Sequence, residues 1–310
     1  MLYIEKQGIS NSALNALKRL AAFRNPKFYQ LQAMRKSAFD NKTKKQIPRI
    51  ISCSDETEQY IGLPRGLEDE VKQTLGSLSV EIEWSNEINK GRTIDVTFNG
   101  VLRDQQQLAA EALLAYYNGV LSATTAFGKT VIGAYLIAER KVNTLILVEK
   151  TNLQSQWSDK LNEFLVINEE PIEELTPKGR KRKKTIIGQI GGGKDNPSGI
   201  VDVATMQSLI SSGEVKEMVR NYGMVLVDEC HHISAFTFEK ILKYINARYV
   251  YGLTATPTRK DGHHPIIFMQ CGGIRYQVDA KSEAEKRPFD HYIIPRFTGF
   301  RKPAHSRYPQ

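Results

Sequence analysis

The sequence predicts an α/β protein in which helices cover both faces of a parallel sheet, preceded by a small α+β accessory domain. From residue 100 onward, short and almost continuously apolar segments alternate with helical ones, which is typical of strands buried on both faces of a sheet. Residues 1–99 show a more mixed pattern, and the composition changes near Asn99-Gly100. The chain has 310 residues, enough for about two domains of roughly 100–200 residues each.

The first 99 residues are predicted to form the accessory domain. Apolar residues recur at helical spacing over 12–39, and Asn25-Pro26 breaks or restarts that helix. Residues 1–50 contain eleven Lys and Arg against two acidic residues, so this domain presents either a polyanion-binding surface or an ordinary solvated one. The other elements predicted here are strands at 47–53, 60–63, 80–84 and 93–98 and a helix at 66–75.

Residues 100–280 are predicted to form the sheet domain. Between 168 and 199 the apolar periodicity lapses, so this part is predicted to be a basic inserted loop or hairpin, with 185–190 as one of its strands. The tail 281–310, Pro-rich and basic toward its end, is predicted to be a linker. The strands of the sheet are predicted at 119–123, 144–148, 200–204, 224–227 and 249–254, and the helices at 105–117, 129–140, 153–164 and 235–245.

The composition argues against several classes of protein. No apolar run reaches the roughly 18 residues that a membrane-spanning helix needs. Glu5 and Lys6 lie where a signal peptide would be apolar. The three cysteines, at 53, 230 and 271, are too far apart for a zinc pattern or a disulfide framework. The sequence therefore predicts a cytoplasmic protein without a membrane partner.

The segment ATTAFGKT, residues 123–130, follows a predicted strand and opens a predicted helix. It matches the phosphate-binding loop pattern, except that Ala123 replaces the first glycine. Gly128 lets the backbone approach a phosphate closely, and N–H groups at the helix start surround its oxygens. Lys129 is expected to reach the β and γ phosphates, and the Thr130 hydroxyl to bind Mg²⁺. The alternative is a chance strand–turn–helix containing these residues.

Two adjacent acids follow the apolar run MVLV. Asp228 at a strand end is suited to hold Mg²⁺, and Glu229 to orient and deprotonate an attacking water. About a hundred residues after a phosphate-binding loop, the pair is strong support for a metal–nucleotide site. A zinc site at Cys230, His231 and His232 is disfavoured, because these three residues lack tetrahedral ligand spacing.

Two further segments have both a functional and an ordinary interpretation. Thr254 and Thr256 end the next strand, where hydroxyls can bond the acidic pair, but the same pattern also fits a Thr-rich turn before proline. Lys178–Lys184 holds six cations in seven residues. It is interpreted as a phosphate-binding hairpin whose affinity falls steeply with salt, against the alternative of a solvated insert.

Taken in order, these segments resemble the first RecA-like lobe of superfamily 2 DEAD/DEAH-type helicases, in the branch of type III restriction subunits and xeroderma pigmentosum group B-like proteins. Residues 10–98 resemble the N-terminal module of bacterial conflict-system helicases, through RIISC at 49–53 and IGLPRG at 61–66. The matching motifs of the lobe are 102–106 for adenine recognition, 123–130 for motif I, 148–157 for motif Ia, 203–209 for a nucleic-acid-contacting motif, 228–231 for motif II and 253–257 for motif III.

The resemblance implies ATP and Mg²⁺ as cofactors and DNA, duplex or single-stranded, as partner, with RNA left open. It also implies primase and nuclease partners in a conflict system. Catalysis is assigned to Lys129, Asp228 and Glu229, and metal binding to Thr130 and Asp228. Coupling to movement is assigned to Thr254 and Thr256. The residues implied in nucleotide binding are Arg103, Gln106, Thr125, Ala126, Phe127, Gly128, Lys129 and Thr130. Those implied in nucleic-acid binding are Thr151, Gln156, Thr205, Arg180, Lys181, Arg182, Lys183 and Lys184.

Motors of this superfamily hydrolyse ATP between two lobes, and the second lobe supplies an arginine finger. About thirty residues follow the segment 276–280, too few for another lobe, and they contain no arginine-rich segment of that kind. We therefore expect a fragment or truncated gene in which 281–310 lead toward an absent second lobe. Such a chain is expected to bind ATP or ADP, hydrolyse slowly and not unwind duplex alone.

Two other functions remain open from the sequence. One is a non-motor nucleic-acid-binding or regulatory fragment that uses ATP or ADP as a conformational ligand. The other is a small phosphoryl-transfer enzyme such as a kinase, which leaves the motif Ia and motif III segments unexplained. Hydrolysis that depends on Lys129 favours the motor over the regulatory fragment.

Overall fold

A computed structural model of the chain describes residues 1–40, 44–85, 87–170, 185–230, 235–258 and 261–278. These residues belong to one compact unit that extends to Val278. The predicted linker 281–310 and the basic run Lys178–Lys184 lie outside the described residues. Among the described helices, none is long and apolar enough to cross a membrane.

Helices and strands alternate over 104–164, and the described elements of 165–228 are strands and short 3₁₀ helices. The helices are α1 Asn11–Leu20, α2 Pro26–Ala33, α3 Glu68–Ser77, α4 Asp104–Leu114, α5 Lys129–Arg140, α6 Thr151–Phe164, α7 Ala235–Tyr244 and α8 Pro265–Cys271. The strands are β1 Leu2–Glu5, β2 Ala22–Arg24, β3 Phe39–Asp40, β4 Lys45–Gln46, β5 Ile50–Ser52, β6 Asp55–Glu56, β7 Tyr60–Leu63, β8 Val96–Phe98, β9 Asn118–Ser122, β10 Thr144–Val148, β11 Leu165–Ile167, β12 Ile187–Gly191, β13 Lys194–Asn196, β14 Val201–Thr205, β15 Ile210–Ser211, β16 Glu214–Val215, β17 Met224–Asp228, β18 Tyr249–Thr254 and β19 Ile274–Gln277.

One eight-stranded sheet dominates the described structure, in the order β13-β12-β14-β10-β17-β18-β9-β19. All neighbouring pairs are parallel except β12 with β13, which is an antiparallel hairpin at the edge. The predicted fold class, a parallel α/β sheet with a preceding α+β region, is therefore confirmed. Because the strands are parallel, their carboxyl ends share one edge of the sheet, where ligands bind in such folds.

The main strands of this sheet have no exposed face. Every residue of β10, β14 and β17 is buried, which explains their nearly continuous apolar sequences. The helix prediction at 129–140 and the strand predictions at 144–148 and 249–254 agree with the observed bounds. The predicted strand at 185–190 is observed as β12, shifted by one or two residues.

Two predictions in the first 99 residues are wrong. The alternating segment 80–84 is not a strand, since no described strand pairs with it and Ile82 and Trp84 are exposed. The helix predicted over 12–39 is interrupted by β2, which pairs with β5. Asn25 accepts a hydrogen bond from the Lys27 N–H and Pro26 occupies the first turn, so a new helix begins there.

The first 99 residues share an apolar core with the sheet. Leu17, Leu63 and Val71 belong to the same buried cluster as Val225 and Ile267. Polar contacts reinforce this packing. The buried guanidinium of Arg65 donates to the carbonyl oxygens of residues 245 and 247, at 3.2 and 2.5 Å. The domain boundary near residue 99 stays a prediction, and the residues on both sides of it are packed together.

Candidate active site

The loop at 123–128 connects the carboxyl end of β9 to α5. Gly128 has φ +92°, a conformation that favours glycine, and begins the helix without a side chain to satisfy its first N–H groups. A Cβ at this position would lie 2.5 Å from Gln106 Nε2. The Ala123 N–H donates to the Thr254 carbonyl at 2.8 Å, which fixes the loop to β18. The loop therefore presents backbone N–H groups at a helix N-terminus, as anion binding requires.

Lys129 folds back across this loop. Its ammonium is almost fully buried and lies 3.1 Å from Glu229 Oε1 and 3.2 Å from the Ala123 carbonyl oxygen. A buried ammonium needs such partners, because desolvation without them is costly. Lys129, the first residue of α5, is thus paired with Glu229, the second of the two adjacent acids.

Asp228 is the last residue of β17 and is buried, with 6% of its surface exposed. Its Oδ2 accepts the indole N–H of Trp157 at 2.7 Å, and its Oδ1 accepts the Glu229 N–H at 3.0 Å. Burial raises the pKa of Asp228, the Trp157 hydrogen bond opposes that rise, and the nearby Glu229 carboxylate adds to it. The carboxylate is therefore held in place by two donors while remaining beside Lys129.

Glu229 has φ +46°, which is uncommon for a residue with a side chain. Such a conformation persists when the surrounding structure enforces it, and it is frequent at functional sites. Here the turn directs the carboxylate toward both Lys129 and the next strand, where Oε2 lies 3.5 Å from the Ala255 N–H. The three residues assigned to catalysis, Lys129, Asp228 and Glu229, are thus brought together.

The predicted adenine-recognition pair lies against the same loop. Gln106 is buried and donates through Nε2 to the Phe127 carbonyl oxygen at 2.8 Å, and Arg103 donates to the same oxygen. Gln106 Oε1 also accepts the Arg103 N–H at 3.0 Å, which caps α4. Both side chains therefore support the loop, and their role in reading a base stays a prediction.

The predicted coupling residues form a closed turn after β18. The buried Thr254 hydroxyl donates to the Thr256 carbonyl at 2.9 Å and accepts the Thr256 N–H at 3.2 Å. Thr256 itself is exposed. Because Thr254 also binds the phosphate-binding loop through its carbonyl, this turn is connected to the candidate site by direct hydrogen bonds.

Two of the predicted nucleic-acid contacts lie near one glycine turn. A Cβ on Gly192 would lie 2.6 Å from Thr151 Cγ2, and one on Gly191 would lie 2.2 Å from Thr205 Oγ1. Thr151 and Gln156 are exposed on α6, whereas Thr205 is buried at the end of β14. The basic residues predicted to join them, Arg180, Lys181, Arg182, Lys183 and Lys184, lie outside the described residues.

Sequence reasoning missed Trp157. Its indole is buried between α5 and β17, where a Cβ on Gly133 would lie 2.6 Å from Trp157 Cη2. One signal was available: a glycine in the middle of a helix costs roughly 1 kcal/mol relative to alanine, so Gly133 indicates that a large group packs against α5.

The oxygen donors at this edge suit a hard divalent cation. Asp228 supplies a carboxylate and Thr130 a partly exposed hydroxyl beside the phosphate-binding loop, which are ligands that Mg²⁺ accepts together with phosphate oxygens. Among the described residues no group of three or more His, Cys, Asp and Glu side chains is placed to hold a metal. Thr130 and Asp228 would hold Mg²⁺ together with the phosphate oxygens of a bound nucleotide.

Comparison with known proteins gives one family match. Residues 99–259 match the family described as the type III restriction enzyme, res subunit. This range contains the loop, both acids and the Thr254 turn.

Curated relatives are longer than this chain. The DNA 3'-5' translocase XPB2 of Sulfurisphaera tokodaii is 31% identical over 185 residues, which cover 60% of this chain and 37% of the relative. The DNA 3'-5' helicase XPB of Mycobacterium tuberculosis is 28% identical over 186 residues, covering 58% of this chain and 31% of the relative. The matched part of this chain thus spans about a third of each of these relatives.

A solved structure shows the same fold over most of the chain. The crystal structure of the UvsW helicase from bacteriophage T4 superposes with a TM-score of 0.58 and 20% identity, covering 86% of this chain and 94% of that one. At this identity the likeness supports the architecture, and it extends beyond the family match into the first 99 residues.

Proposed function

Because this chain belongs to the type III restriction enzyme res-subunit family, we propose that it is the ATP-binding lobe of a superfamily 2 motor that couples Mg-ATP hydrolysis to movement along DNA. One observation carries the proposal: Lys129 from the phosphate-binding loop lies 3.1 Å from Glu229, beside Asp228. The loop that would bind the phosphates and the acids that would bind the metal and the attacking water thus lie together at the carboxyl edge of the sheet, which supports the proposal.

Lys129 and the N–H groups at the start of α5 would bind the β and γ phosphates, and Thr130 with Asp228 would hold Mg²⁺. Bound Mg²⁺ would neutralise charge on the phosphate oxygens. Phosphate oxygens compete with Glu229 for the Lys129 ammonium, so nucleotide binding would free the Glu229 carboxylate. Glu229 would then accept a proton from the attacking water.

Coupling to movement would pass through the Thr254 turn, whose carbonyl holds the phosphate-binding loop. Thr151, exposed at the start of α6, is suited to bind a nucleic-acid backbone without reading its sequence, whereas Thr205, buried against Gly191, would act by supporting the glycine turn beside it. The names of the two curated relatives given above, a DNA translocase and a DNA helicase, support DNA as the partner in this proposal, and RNA is kept as an outcome of the test.

We further infer that this chain alone hydrolyses ATP slowly and does not unwind duplex. An arginine finger contributes about 10³–10⁵ in rate in other phosphoryl-transfer enzymes, and the resemblance to two-lobed motors implies that it comes from a second RecA-like lobe. The proposal therefore includes a second lobe that completes the ATP site.

The test is the ATPase rate of the chain with no nucleic acid, with duplex or single-stranded DNA, and with RNA. We expect slow hydrolysis that DNA stimulates and that Lys129→Ala abolishes. Lys160→Ala, which removes an exposed lysine on α6, is the matched control and should leave the rate unchanged.

Three outcomes would contradict parts of the proposal. Hydrolysis unchanged in Lys129→Ala would remove the assigned site. Nucleotide binding that alters DNA affinity without any stimulated hydrolysis would favour a regulatory fragment that uses ATP or ADP as a conformational ligand. Processive unwinding by this chain alone would contradict the need for a second lobe.

A further inference from the structure

Trp157 connects three parts of the candidate site. It is carried by α6, the helix that also bears the exposed Thr151, and its side chain is 1% exposed. The indole N–H reaches Asp228 on β17 at 2.7 Å. The other edge of the ring packs against α5, the helix that begins with Lys129.

Packing around the ring leaves little freedom for it to move. A Cβ on Gly133 would lie 2.6 Å from Trp157 Cη2, closer than real Cβ contacts, and 3.1 Å from Cζ3. The same position lies 3.4 Å from a methyl group of Leu226 on β17. The ring therefore lies against the helix that starts at the phosphate-binding loop, and its N–H reaches the strand that ends in Asp228.

The hydrogen bond has a directional consequence. A carboxylate on a strand end can rotate about its side-chain bonds, and an indole N–H held in place by packing favours the orientation in which Oδ2 accepts its hydrogen bond. Residues that orient a metal ligand through such bonds affect metal affinity about 10–100-fold when they are replaced.

We propose that Trp157 is a positioning residue for Asp228, which fixes the carboxylate for Mg-nucleotide binding and transmits the position of α6 to it. This inference rests on the proposed nucleotide site. It adds a physical connection between the helix that carries Thr151 and the metal-binding carboxylate.

The first test is a Mg²⁺ titration of ADP binding by calorimetry. Trp157→Phe keeps most of the ring and removes the N–H donor. We expect it to raise the Mg²⁺ concentration needed for half-maximal ADP binding about tenfold, while ADP affinity in EDTA stays unchanged. Tyr222→Phe is the matched control, since it removes a buried aromatic donor to a different carboxylate, Asp202, with an O···O distance of 2.6 Å.

A merely structural role predicts a different result. Trp157→Phe would then lower the unfolding midpoint as Tyr222→Phe does and leave the Mg²⁺ dependence at the wild-type value, which would overturn the inference. A wild-type chain that binds no ADP in any Mg²⁺ concentration would instead remove the proposed nucleotide site itself.

Two further variants decide the matter if Trp157→Phe fails to fold. Gly133→Ala retains the N–H but forces the ring to shift, so it should raise the Mg²⁺ concentration needed for half-maximal ADP binding, as Trp157→Phe does.

Trp84→Phe leaves Trp157 as the sole tryptophan of the chain, because the sequence contains two. The fluorescence emission of Trp157 should change when Mg²⁺ is added with ADP. It should not change in the Trp84→Phe, Asp228→Asn double variant. An unaltered Mg²⁺ requirement in Gly133→Ala, or emission insensitive to Mg²⁺, would overturn the inference.

Discussion

Two buried aspartates in the same sheet show how a structural carboxylate differs from a candidate catalytic one. Asp202 in β14 is fully buried and accepts hydrogen bonds from the Ser198 N–H and hydroxyl, the Gly199 N–H and the Tyr222 hydroxyl. Among the described residues, Asp228 on β17 accepts hydrogen bonds from the Trp157 indole N–H and the Glu229 N–H. Within the part of the chain that the structure describes, four donors reach the Asp202 carboxylate and two reach that of Asp228, which leaves Asp228 more lone pairs for a ligand.

The partners of the two aspartates differ in the same way. Tyr222 is buried beside Asp202, and burial raises its pKa well above the ordinary value, so its hydroxyl remains a donor. Asp228 instead lies next to the ion pair of Lys129 and Glu229. Phosphate oxygens of a ligand can take the place of the Glu229 carboxylate in that pair. The end of β17 is therefore better suited to bind a charged ligand than the buried Asp202 in β14. Fewer described donors reach the Asp228 carboxylate, and a ligand can replace one partner of the ion pair beside it.

The largest expected effect is on stability, at Asp202. Replacing it with alanine leaves buried donors unsatisfied, each of which costs about 1–3 kcal/mol, so Asp202→Ala should lower the free energy of unfolding by about 3–5 kcal/mol. Urea denaturation followed by circular dichroism measures the shift. Tyr222→Phe, with one donor removed, should cost about 1 kcal/mol. Equal shifts for the two variants would contradict the comparison.

At Asp228 the effect should fall on ligand binding. Asp228→Asn removes a buried charge but keeps an acceptor for Trp157, so the free energy of unfolding should change by less than about 1 kcal/mol. Mg-ADP affinity should fall about 100-fold, since the carboxylate is lost as a metal ligand. Calorimetry with and without Mg²⁺ measures this loss. A variant that unfolds as readily as Asp202→Ala would show that Asp228 is structural.

The phosphate-binding loop should be more sensitive than a glycine turn of similar backbone conformation. Gly128→Ala places a methyl group 2.5 Å from Gln106 Nε2 at φ +92° and should lower ADP affinity about tenfold, because the loop must shift away from the phosphate. Gly193→Ala is the matched control, with φ +81° and no heavy atom within 4 Å of the added Cβ. It should leave ADP affinity unchanged, and an equal loss in both variants would show that backbone strain alone is responsible.

The smallest expected effect is on the pH dependence of stability. Burial raises the pKa of Cys53 and of Cys271 to about 12, and raises that of Cys230 well above its ordinary value. Since the folded pKa exceeds the unfolded one, the stabilisation is complete below the unfolded pKa near 9 and is lost as pH rises toward the folded value. The three thiols should therefore contribute a fall of about 1 kcal/mol in the free energy of unfolding between about pH 7.5 and 9, measured as the difference between wild type and the cysteine variants. The Met1 amino group, whose pKa burial lowers to about 5, opposes this fall in the same window and is common to all of these chains.

The same pH experiment compares the two regions. Cys230 follows the acidic pair, and Cys53 lies in the first 99 residues. If both regions unfold together, Cys230→Ala and Cys53→Ala should each remove a similar share of the pH dependence, measured by urea midpoints at the two pH values. If Cys230→Ala reduces the pH dependence of the urea midpoint and Cys53→Ala does not, the first 99 residues unfold separately.

Sequence patterns predicted the parts of the molecule that depend on local order. Residue spacing predicts the loop 123–128, the start of α5 at Lys129 and the acids at the end of β17, because parallel strands bring their carboxyl ends to one edge. Trp157 was not predicted, since its hydrogen bond joins residues 71 positions apart. The segment 80–84 alternates like a strand, but pairing requires a neighbour that a sequence pattern does not supply.

Arg65 has a consequence for how this protein can be divided. Its guanidinium binds the carbonyl oxygens just before β18, the strand that ends at Thr254. A sheet domain expressed from residue 100 alone would expose these carbonyls and the apolar surface that Leu63 and Val71 cover. The first 99 residues therefore cannot be exchanged freely. A domain that replaces them in a chimera must also cover the same apolar surface and bind the same carbonyl oxygens.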